Sequence, residues 1–195
     1  MILYLHGFRS SPQSFKARLM RARLEELGLS QEWCCPVLPV SPRDAIALAE
    51  SLAAQAIGQD ITLVGSSLGG FYATWLAEKH GWRAVLLNPA VVPQEDLSAY
   101  IGEQPLWHGG GSIVVEPWHI DELRALSVPS ITQPERYYLI AATGDEVLDY
   151  RTMLKHYPGV RTTLIQGSNH AISDFSSYLD DVLAFCAVQP PAAAA

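Results

Sequence analysis

Short apolar runs alternate with longer amphipathic segments along most of the 195-residue chain. Apolar runs of this length are typical of strands that are covered on both faces, and the segments between them have the apolar spacing of helices. The expected strands are 2–5, 34–38, 61–64, 84–87, 136–142 and 160–165, and the expected helices are 12–27, 42–57, 70–80, 120–126, 150–157 and 173–187. This alternation predicts an α/β fold, with a mostly parallel, doubly wound sheet and helices on both faces.

Size, charge and cysteine content exclude several classes of protein. A single domain over 1–188 is expected, followed by a disordered tail over 189–195. The net charge of −7 disfavours nucleic acid and membrane surfaces as partners. No apolar stretch approaches the roughly 20 residues that span a bilayer, and no secretory leader is recognisable. The three cysteines are too few for a disulfide framework, which together with the missing leader predicts a cytoplasmic location. No His/Cys cluster has zinc-like spacing, so we expect no metal, and we expect no diffusible cofactor.

The segment 90–133 breaks the alternation of strands and helices. It contains several prolines, three consecutive glycines at 109–111, and the tryptophans Trp107 and Trp118. We interpret it as a short, cap-like insertion above the carboxyl edge of the sheet. Trp107 and Trp118, together with Phe8, are candidates for an apolar substrate pocket, although plain packing is the more common role for each of them.

A candidate nucleophile lies in the stretch Gly65-Ser66-Ser67-Leu68-Gly69, which fits the pattern G-x-S-x-G. The stretch directly follows an expected strand and precedes an expected helix. Glycines two residues before and two after Ser67 remove side chains that would collide with neighbouring elements. Such a turn would lift the Ser67 hydroxyl to the edge of the sheet, where the first amides of the helix face developing negative charge. An ordinary glycine-rich turn with a capping serine is the alternative.

A serine nucleophile needs a base and a group that orients the base, and candidates for both follow later strands. Asp145 comes directly after the fifth expected strand and His170 directly after the sixth. The carboxyl ends of parallel strands share one edge, so Ser67, Asp145 and His170 are expected to converge there. Glu146 and Asp149 are alternative acids. Histidines with no strand end before them are expected in surface or structural roles: His80, His108, His119 and His156.

An acyl-transfer site also needs two N–H donors for the oxyanion. One expected donor is the backbone N–H of Leu68, the residue after the nucleophile. The other is expected from the loop after the first strand, where Phe8 lies. The stretch His108-Gly109-Gly110-Gly111 has the letters of a lipase oxyanion motif, but it follows the nucleophile and is interpreted as a loop of the insertion.

Together these motifs resemble those of the α/β-hydrolases, and more closely those of the small bacterial esterases of the YqiA family. The resemblance covers nearly the whole chain, and the segments that carry it are 3–8, 10–12, 65–70, 72–76, 88–90, 143–151 and 169–171. The insertion departs from the family at 107–111 and 117–118. The resemblance implies a carboxylic-ester hydrolase with Ser67, Asp145 and His170 as its catalytic triad.

The sequence therefore predicts a serine hydrolase that cleaves small-molecule esters, or acyl thioesters, through an acyl-enzyme. An inactive α/β-hydrolase-fold module for binding or regulation is the alternative, and the intact trio argues against it. A nucleotide-binding protein would need G-x-G-x-x-G or a phosphate-binding lysine loop after a strand, and the sequence has neither. Nothing in the sequence indicates the oligomeric state.

Overall fold

The apolar runs form one six-stranded parallel sheet in the computed structural model, which describes residues 1–186. Its strands are β1 (Ile2–Leu5), β2 (Trp33–Cys34), β3 (Thr62–Ser66), β4 (Arg83–Leu87), β7 (Tyr137–Ala142) and β8 (Arg161–Ile165), while β5 (Gly102–Pro105) and β6 (Ser112–Val115) form a separate antiparallel hairpin. The order across the sheet is β2-β1-β3-β4-β7-β8. The chain adds β2 on one side of β1 and then β3 on the other, which is the doubly wound arrangement.

Helices cover both faces of the sheet, and this confirms the predicted fold class. The helices are α1 (Phe15–Glu26), α2 (Pro42–Gln55), α3 (Leu68–His80), α4 (Pro93–Asp96), α5 (Pro117–Ala125), α6 (Tyr150–His156) and α7 (Leu179–Phe185). Helices α1 and α7 pack on one face, and α2, α3, α5 and α6 on the other. Adjacent residues of β4 point to opposite faces of the sheet. Val85 packs with α1 and α7, Leu86 packs with the helices of the other face, and both side chains are fully buried.

Two elements differ from the sequence expectations for local reasons. The strand expected over 34–38 is observed only as the two residues of β2, Trp33–Cys34, and it ends before Pro36, which has no backbone N–H for the ladder. The helix expected over 173–187 begins instead as the 3₁₀ turn Phe175–Ser177, followed by α7. Ile172, which has a φ of 49°, turns the chain just before this segment. The expected tail and the end of the expected domain lie outside the described residues.

The segment 90–133 contains more regular structure than its composition predicts. It holds α4, the β5–β6 hairpin and α5. The hairpin was not expected, because β5 contains both a glycine and a proline. Its connecting loop includes 109–111, where all three glycines have positive φ. Helix α5 begins at Pro117, earlier than expected, since proline suits the first position of a helix. The role of this segment as a cap stays a prediction.

Candidate active site

Ser67 lies at the turn between β3 and α3, with a φ of 55° and a ψ of −120°. Its N–H donates to the Leu87 carbonyl at 3.0 Å, and its own carbonyl accepts from the N–H of Gly70 at 2.8 Å and of Ala90 at 3.0 Å. Residues other than glycine rarely have positive φ unless the surrounding structure holds them there. The end of β4 therefore holds the turn in a strained conformation that presents the Ser67 side chain.

The glycines of the motif are required by the close approach of α3 to the sheet. A Cβ on Gly69 would lie 1.9 Å from the Leu5 carbonyl oxygen, and a Cβ on Gly65 would lie 2.3 Å from the Gly69 carbonyl oxygen. Both contacts are with backbone atoms, which cannot rotate away as a side chain does. The steric reason for the G-x-S-x-G spacing is thus visible at both positions.

The structure brings Ser67, Asp145 and His170 together at the carboxyl edge of the sheet. His170 Nε2 lies 3.1 Å from Ser67 Oγ, and His170 Nδ1 lies 2.8 Å from Asp145 Oδ2. A carboxylate only accepts, so Nδ1 carries the proton and donates to Asp145, while Nε2 accepts from the Ser67 hydroxyl. The Asp145 side chain is 0% exposed and that of His170 is 21% exposed. The arrangement can therefore remove a proton from the serine.

The Asp145 carboxylate is fixed in orientation by the backbone that follows it. Its Oδ1 accepts from the N–H groups of Val147 and Leu148, both at 2.8 Å. Because these two donors hold Oδ1, the second oxygen is left to face the imidazole of His170. A short turn after β7 thus supplies both the acid and the groups that orient it.

The two alternative acids have other partners. Glu146 Oε2 accepts from the backbone N–H of His170 at 3.0 Å, so it contacts the main chain of the loop. Asp149 caps α6 by accepting from the N–H of Arg151 at 2.9 Å. Among the hydrogen bonds of residues 1–186, the ring of His170 contacts the carboxylate of Asp145 and neither of these two.

A buried asparagine directly after β4 supports the histidine loop. Asn88 is fully buried and has a φ of 43°. Its Oδ1 accepts from the Ala142 N–H at 2.8 Å, and its Nδ2 donates to the carbonyls of Asn169 at 3.2 Å and His170 at 3.1 Å. The side chain therefore connects the ends of β4 and β7 to the loop that carries the imidazole. An asparagine directly after a buried strand is the signal, since asparagine tolerates positive φ.

The two expected oxyanion donors both lie beside the serine. Leu68 follows Ser67 in the chain, and the loop that carries Phe8 passes against the turn, because a Cβ on Gly7 would lie 3.2 Å from Ser67 Cβ. Within residues 1–186, the backbone N–H groups of Phe8 and Leu68 donate no hydrogen bond. Two free donors next to a serine hydroxyl can receive negative charge that develops on a bound carbonyl.

His6 holds the loop after β1 in place. Its Nε2 accepts from the Leu38 N–H at 3.1 Å, and its Nδ1 lies 3.0 Å from the Gly7 carbonyl, to which it donates. Burial lowers the pKa of His6, which favours the neutral ring that this pattern requires. The loop that contains Phe8 is thereby fastened to the segment after β2.

The β5–β6 hairpin is attached to this same loop through one arginine. The Arg9 side chain donates to the Pro105 carbonyl, and its guanidinium lies 4.0 Å from the ring centroid of Trp107. The backbone N–H of Trp107 donates to the Arg9 carbonyl at 2.9 Å. These contacts hold Trp107 next to the serine, although 64% of the Trp107 surface is exposed to solvent.

Two cavities open beside Ser67, and Phe8, Trp107 and His170 line both of them. The larger has a volume of about 540 Å³, and its mostly apolar wall includes Leu68, Ala90, Pro93, Leu97, Tyr100 and Leu148. The smaller has a volume of about 290 Å³. Trp118, the third aromatic expected in a pocket, lies on α5 and is not among the residues that line either cavity.

Of the four histidines that were expected in surface or structural roles, His80 and His119 have side-chain hydrogen-bond partners. His80 Nε2 lies 2.7 Å from a carboxylate oxygen of Glu50, and His119 Nδ1 accepts from the Glu116 N–H at 3.1 Å. Over residues 1–186, no three His, Cys, Asp or Glu side chains are grouped so that they could hold a metal ion. In the same part of the chain, no helix is both long and apolar enough to cross a membrane.

Comparison with solved structures places the fold among the α/β-hydrolases. A protein of Agrobacterium vitis S4, provisionally described as a hydrolase, superposes with a TM-score of 0.73 at 19% identity, over 95% of this chain and 87% of that chain. One of the metagenome-derived lipolytic enzymes LipS and LipT superposes with a TM-score of 0.64 at 20% identity, over 95% of this chain and 92% of that chain. The expected α/β-hydrolase fold is confirmed.

Sequence comparison assigns the chain to a family over nearly its full length. A UPF0227 protein of Yersinia pseudotuberculosis is 26% identical over 187 residues, which is 95% of this chain and 98% of that protein. The profile of the uncharacterised protein family UPF0227 matches residues 1–187. This chain, with its hydrogen-bonded serine, histidine and aspartate, belongs to the UPF0227 family.

Proposed function

We propose that this protein is a serine hydrolase that cleaves carboxylic esters, with acyl thioesters as a second substrate group. The observation that carries the proposal is the continuous hydrogen-bonded line from Ser67 Oγ through the imidazole of His170 to the buried Asp145 carboxylate. A serine hydroxyl becomes a useful nucleophile at neutral pH when an adjacent base can take its proton.

In the proposed reaction, Ser67 Oγ attacks the carbonyl carbon of the ester while His170 Nε2 takes the hydroxyl proton. Asp145 keeps the imidazole in the tautomer that can accept this proton. The N–H groups of Phe8 and Leu68 receive the oxyanion. His170 then protonates the leaving alcohol, which departs and leaves an acyl-serine. A water molecule, deprotonated by His170, releases the acid and restores the serine.

Apolar ester substrates are supported by the larger cavity beside the serine. Its wall includes the side chains of Leu97, Tyr100 and Leu148, which suit an acyl or alcohol chain. The similarity to LipS and LipT, which are described as lipolytic, points to the same substrate class. This chemistry requires neither a metal nor a diffusible cofactor.

The test combines a fluorophosphonate probe with hydrolysis of p-nitrophenyl butyrate. We expect wild type to be labelled and active, and Ser67→Ala to lose labelling and at least roughly 10⁴-fold in kcat. Ser51→Ala, which changes an exposed serine on α2, is the matched control and should keep both properties. Labelling that persists in Ser67→Ala would assign the nucleophile to another residue. A wild type that is folded, unlabelled and inactive would instead favour the binding or regulatory module.

A further inference from the structure

A lysine is buried beside the candidate active site, and the proposed mechanism does not use it. Lys16 lies in the first turn of α1 and is 8% exposed. Its Nζ donates to the carbonyl of Ala171, the residue after His170, at 2.7 Å. Within residues 1–186, no carboxylate oxygen lies within 4.0 Å of this ammonium group. Lysines are almost never buried to this extent unless they are paired.

This position is unfavourable for a positive charge in two ways. Burial opposes the charged form and lowers the pKa of Lys16 to about 8, an effect that the charge of Asp145 offsets in part. The amino-terminal end of α1 also carries partial positive charge, and its first turn contains no acidic residue. At neutral pH the side chain is still mostly an ammonium ion, so a cation is maintained at a site that disfavours it.

The hydrogen-bonding capacity of Lys16 is largely unused. An ammonium group has three N–H donors, and the Ala171 carbonyl takes one of them. Asp145 is not a direct partner, because within residues 1–186 the Lys16 ammonium forms no ion pair or hydrogen bond with its carboxylate. The remaining donors are therefore available to an acceptor that is not part of the described chain.

The smaller cavity supplies the place for such an acceptor. Lys16 lines it together with Ser67 and His170, so a bound molecule would contact both the cation and the nucleophile. The rest of the wall is rich in hydroxyl groups and contains no aspartate or glutamate; its polar members include Tyr4, Ser10, Ser14 and Ser66. Ser14 Oγ is buried and has no hydrogen-bond partner within residues 1–186. The volume of about 290 Å³ is close to the lower end of small-molecule sites, which begin near about 300 Å³.

We propose that the smaller cavity binds an anionic group of the substrate, so that the preferred substrates are esters that carry a carboxylate near the scissile carbonyl. Lys16 and Ser14 would donate to the carboxylate, and charge-assisted hydrogen bonds of this kind are stronger than neutral ones. The larger cavity would take the apolar part of the same molecule. This proposal rests on the proposed ester hydrolysis and specifies its substrate class.

The test uses matched pairs of esters that differ only in charge. For an anion on the acyl side, the pair is mono-p-nitrophenyl glutarate and p-nitrophenyl glutaramate. For an anion on the alcohol side, the pair is 3-carboxyphenyl butyrate and 3-carbamoylphenyl butyrate. In at least one pair, wild type should show a kcat/KM for the carboxylate that is about tenfold or more above that for the amide. Equal values in both pairs would overturn the proposal.

Lys16→Met separates charge recognition from a purely structural role. If Lys16 binds the anion, the carboxylate-to-amide ratio of kcat/KM should fall to about one or below. If Lys16 only holds the Ala171 carbonyl, both members of a pair should lose activity equally and the ratio should persist, which would contradict the proposal. Lys155→Met, which removes an exposed lysine on α6, is the matched control and should keep the wild-type ratio.

A binding measurement on wild type covers the case in which Lys16→Met does not fold. Glutarate should inhibit hydrolysis of the neutral p-nitrophenyl butyrate at about tenfold lower concentration than glutaramide. Equal inhibition by the two compounds would contradict anion binding in the smaller cavity. Failure of the proposed function is recognised separately, because none of the esters, neutral or anionic, would then be hydrolysed. Calorimetry of glutarate and glutaramide with wild type would still report whether the cavity selects the anion.

Discussion

Replacement of Asp145 by asparagine tests the most specific geometric feature of the site. Two backbone N–H groups, those of Val147 and Leu148, point at Oδ1 of Asp145. In Asp145→Asn the amide oxygen must take this position, because only it can accept. The amide NH₂ then faces Nδ1 of His170 and donates to it. The ring proton is forced onto Nε2, where it blocks removal of the proton from Ser67.

The size of the effect follows from the cost of the opposite amide orientation. Turning the amide would leave both backbone N–H groups unsatisfied, at about 1–3 kcal/mol each. The total of about 2–6 kcal/mol favours the unproductive orientation roughly 30-fold to 10⁴-fold. We therefore expect Asp145→Asn to lower kcat by roughly 10²-fold to 10⁴-fold, somewhat less than Ser67→Ala.

The assay is steady-state hydrolysis of p-nitrophenyl butyrate, with circular dichroism and urea unfolding to show that the variant is folded. Asp149→Asn is the matched control, since it makes the same chemical change in a carboxylate that caps α6. We expect it to retain most of the activity. A fully active Asp145→Asn would refute the tautomer argument. If Asp149→Asn were inactive in the same assay, Asp149 would be the catalytic acid instead.

Two further substitutions test the supports of the site. Gly69→Ala would place a methyl group against the Leu5 carbonyl and should lower the free energy of unfolding, measured in urea, by about 4 kcal/mol or more. The control is Gly28→Ala, at a glycine with a φ of 71° but open space around it, which should lower the same free energy by about 1–2 kcal/mol. Similar losses in the two variants would contradict the close approach of α3 to the sheet. Asn88→Asp removes both donors to the histidine loop and should lower kcat for p-nitrophenyl butyrate by roughly 10-fold to 100-fold, so an unchanged kcat in a folded variant would rule out this support.

Much of the site could be predicted from the sequence because each group follows the end of an apolar run. Ser67, Asp145 and His170 are far apart in the chain, yet the parallel topology brings strand ends to one edge, and the structure places their side chains in hydrogen-bond contact. The glycines at 65 and 69 could be predicted for the same reason, since a turn of this tightness excludes a Cβ. Local order and topology together were sufficient for these features.

Other features depend on contacts that have no local pattern. Lys16 belongs to a helix whose spacing predicts only amphipathicity, and its burial results from contact with the loop at Ala171, 155 residues away. The bridging role of Asn88 likewise requires knowledge of where β7 and the histidine loop lie. The β5–β6 hairpin pairs a strand that contains glycine and proline, so its composition predicts a loop. In each case tertiary contacts determine the role of the residue.

The attachment of the hairpin through Arg9 has a consequence for how the substrate range of this chain can diversify. Arg9 adjoins Phe8, so the hairpin segment that contributes Trp107 to both cavities and the amide that would stabilise the transition state share one anchor. An exchange of 102–115 for another sequence would alter selectivity and turnover at the same time. Libraries that retain Arg9, Pro105 and Trp107 and randomise the tip at 108–111 would separate the two properties.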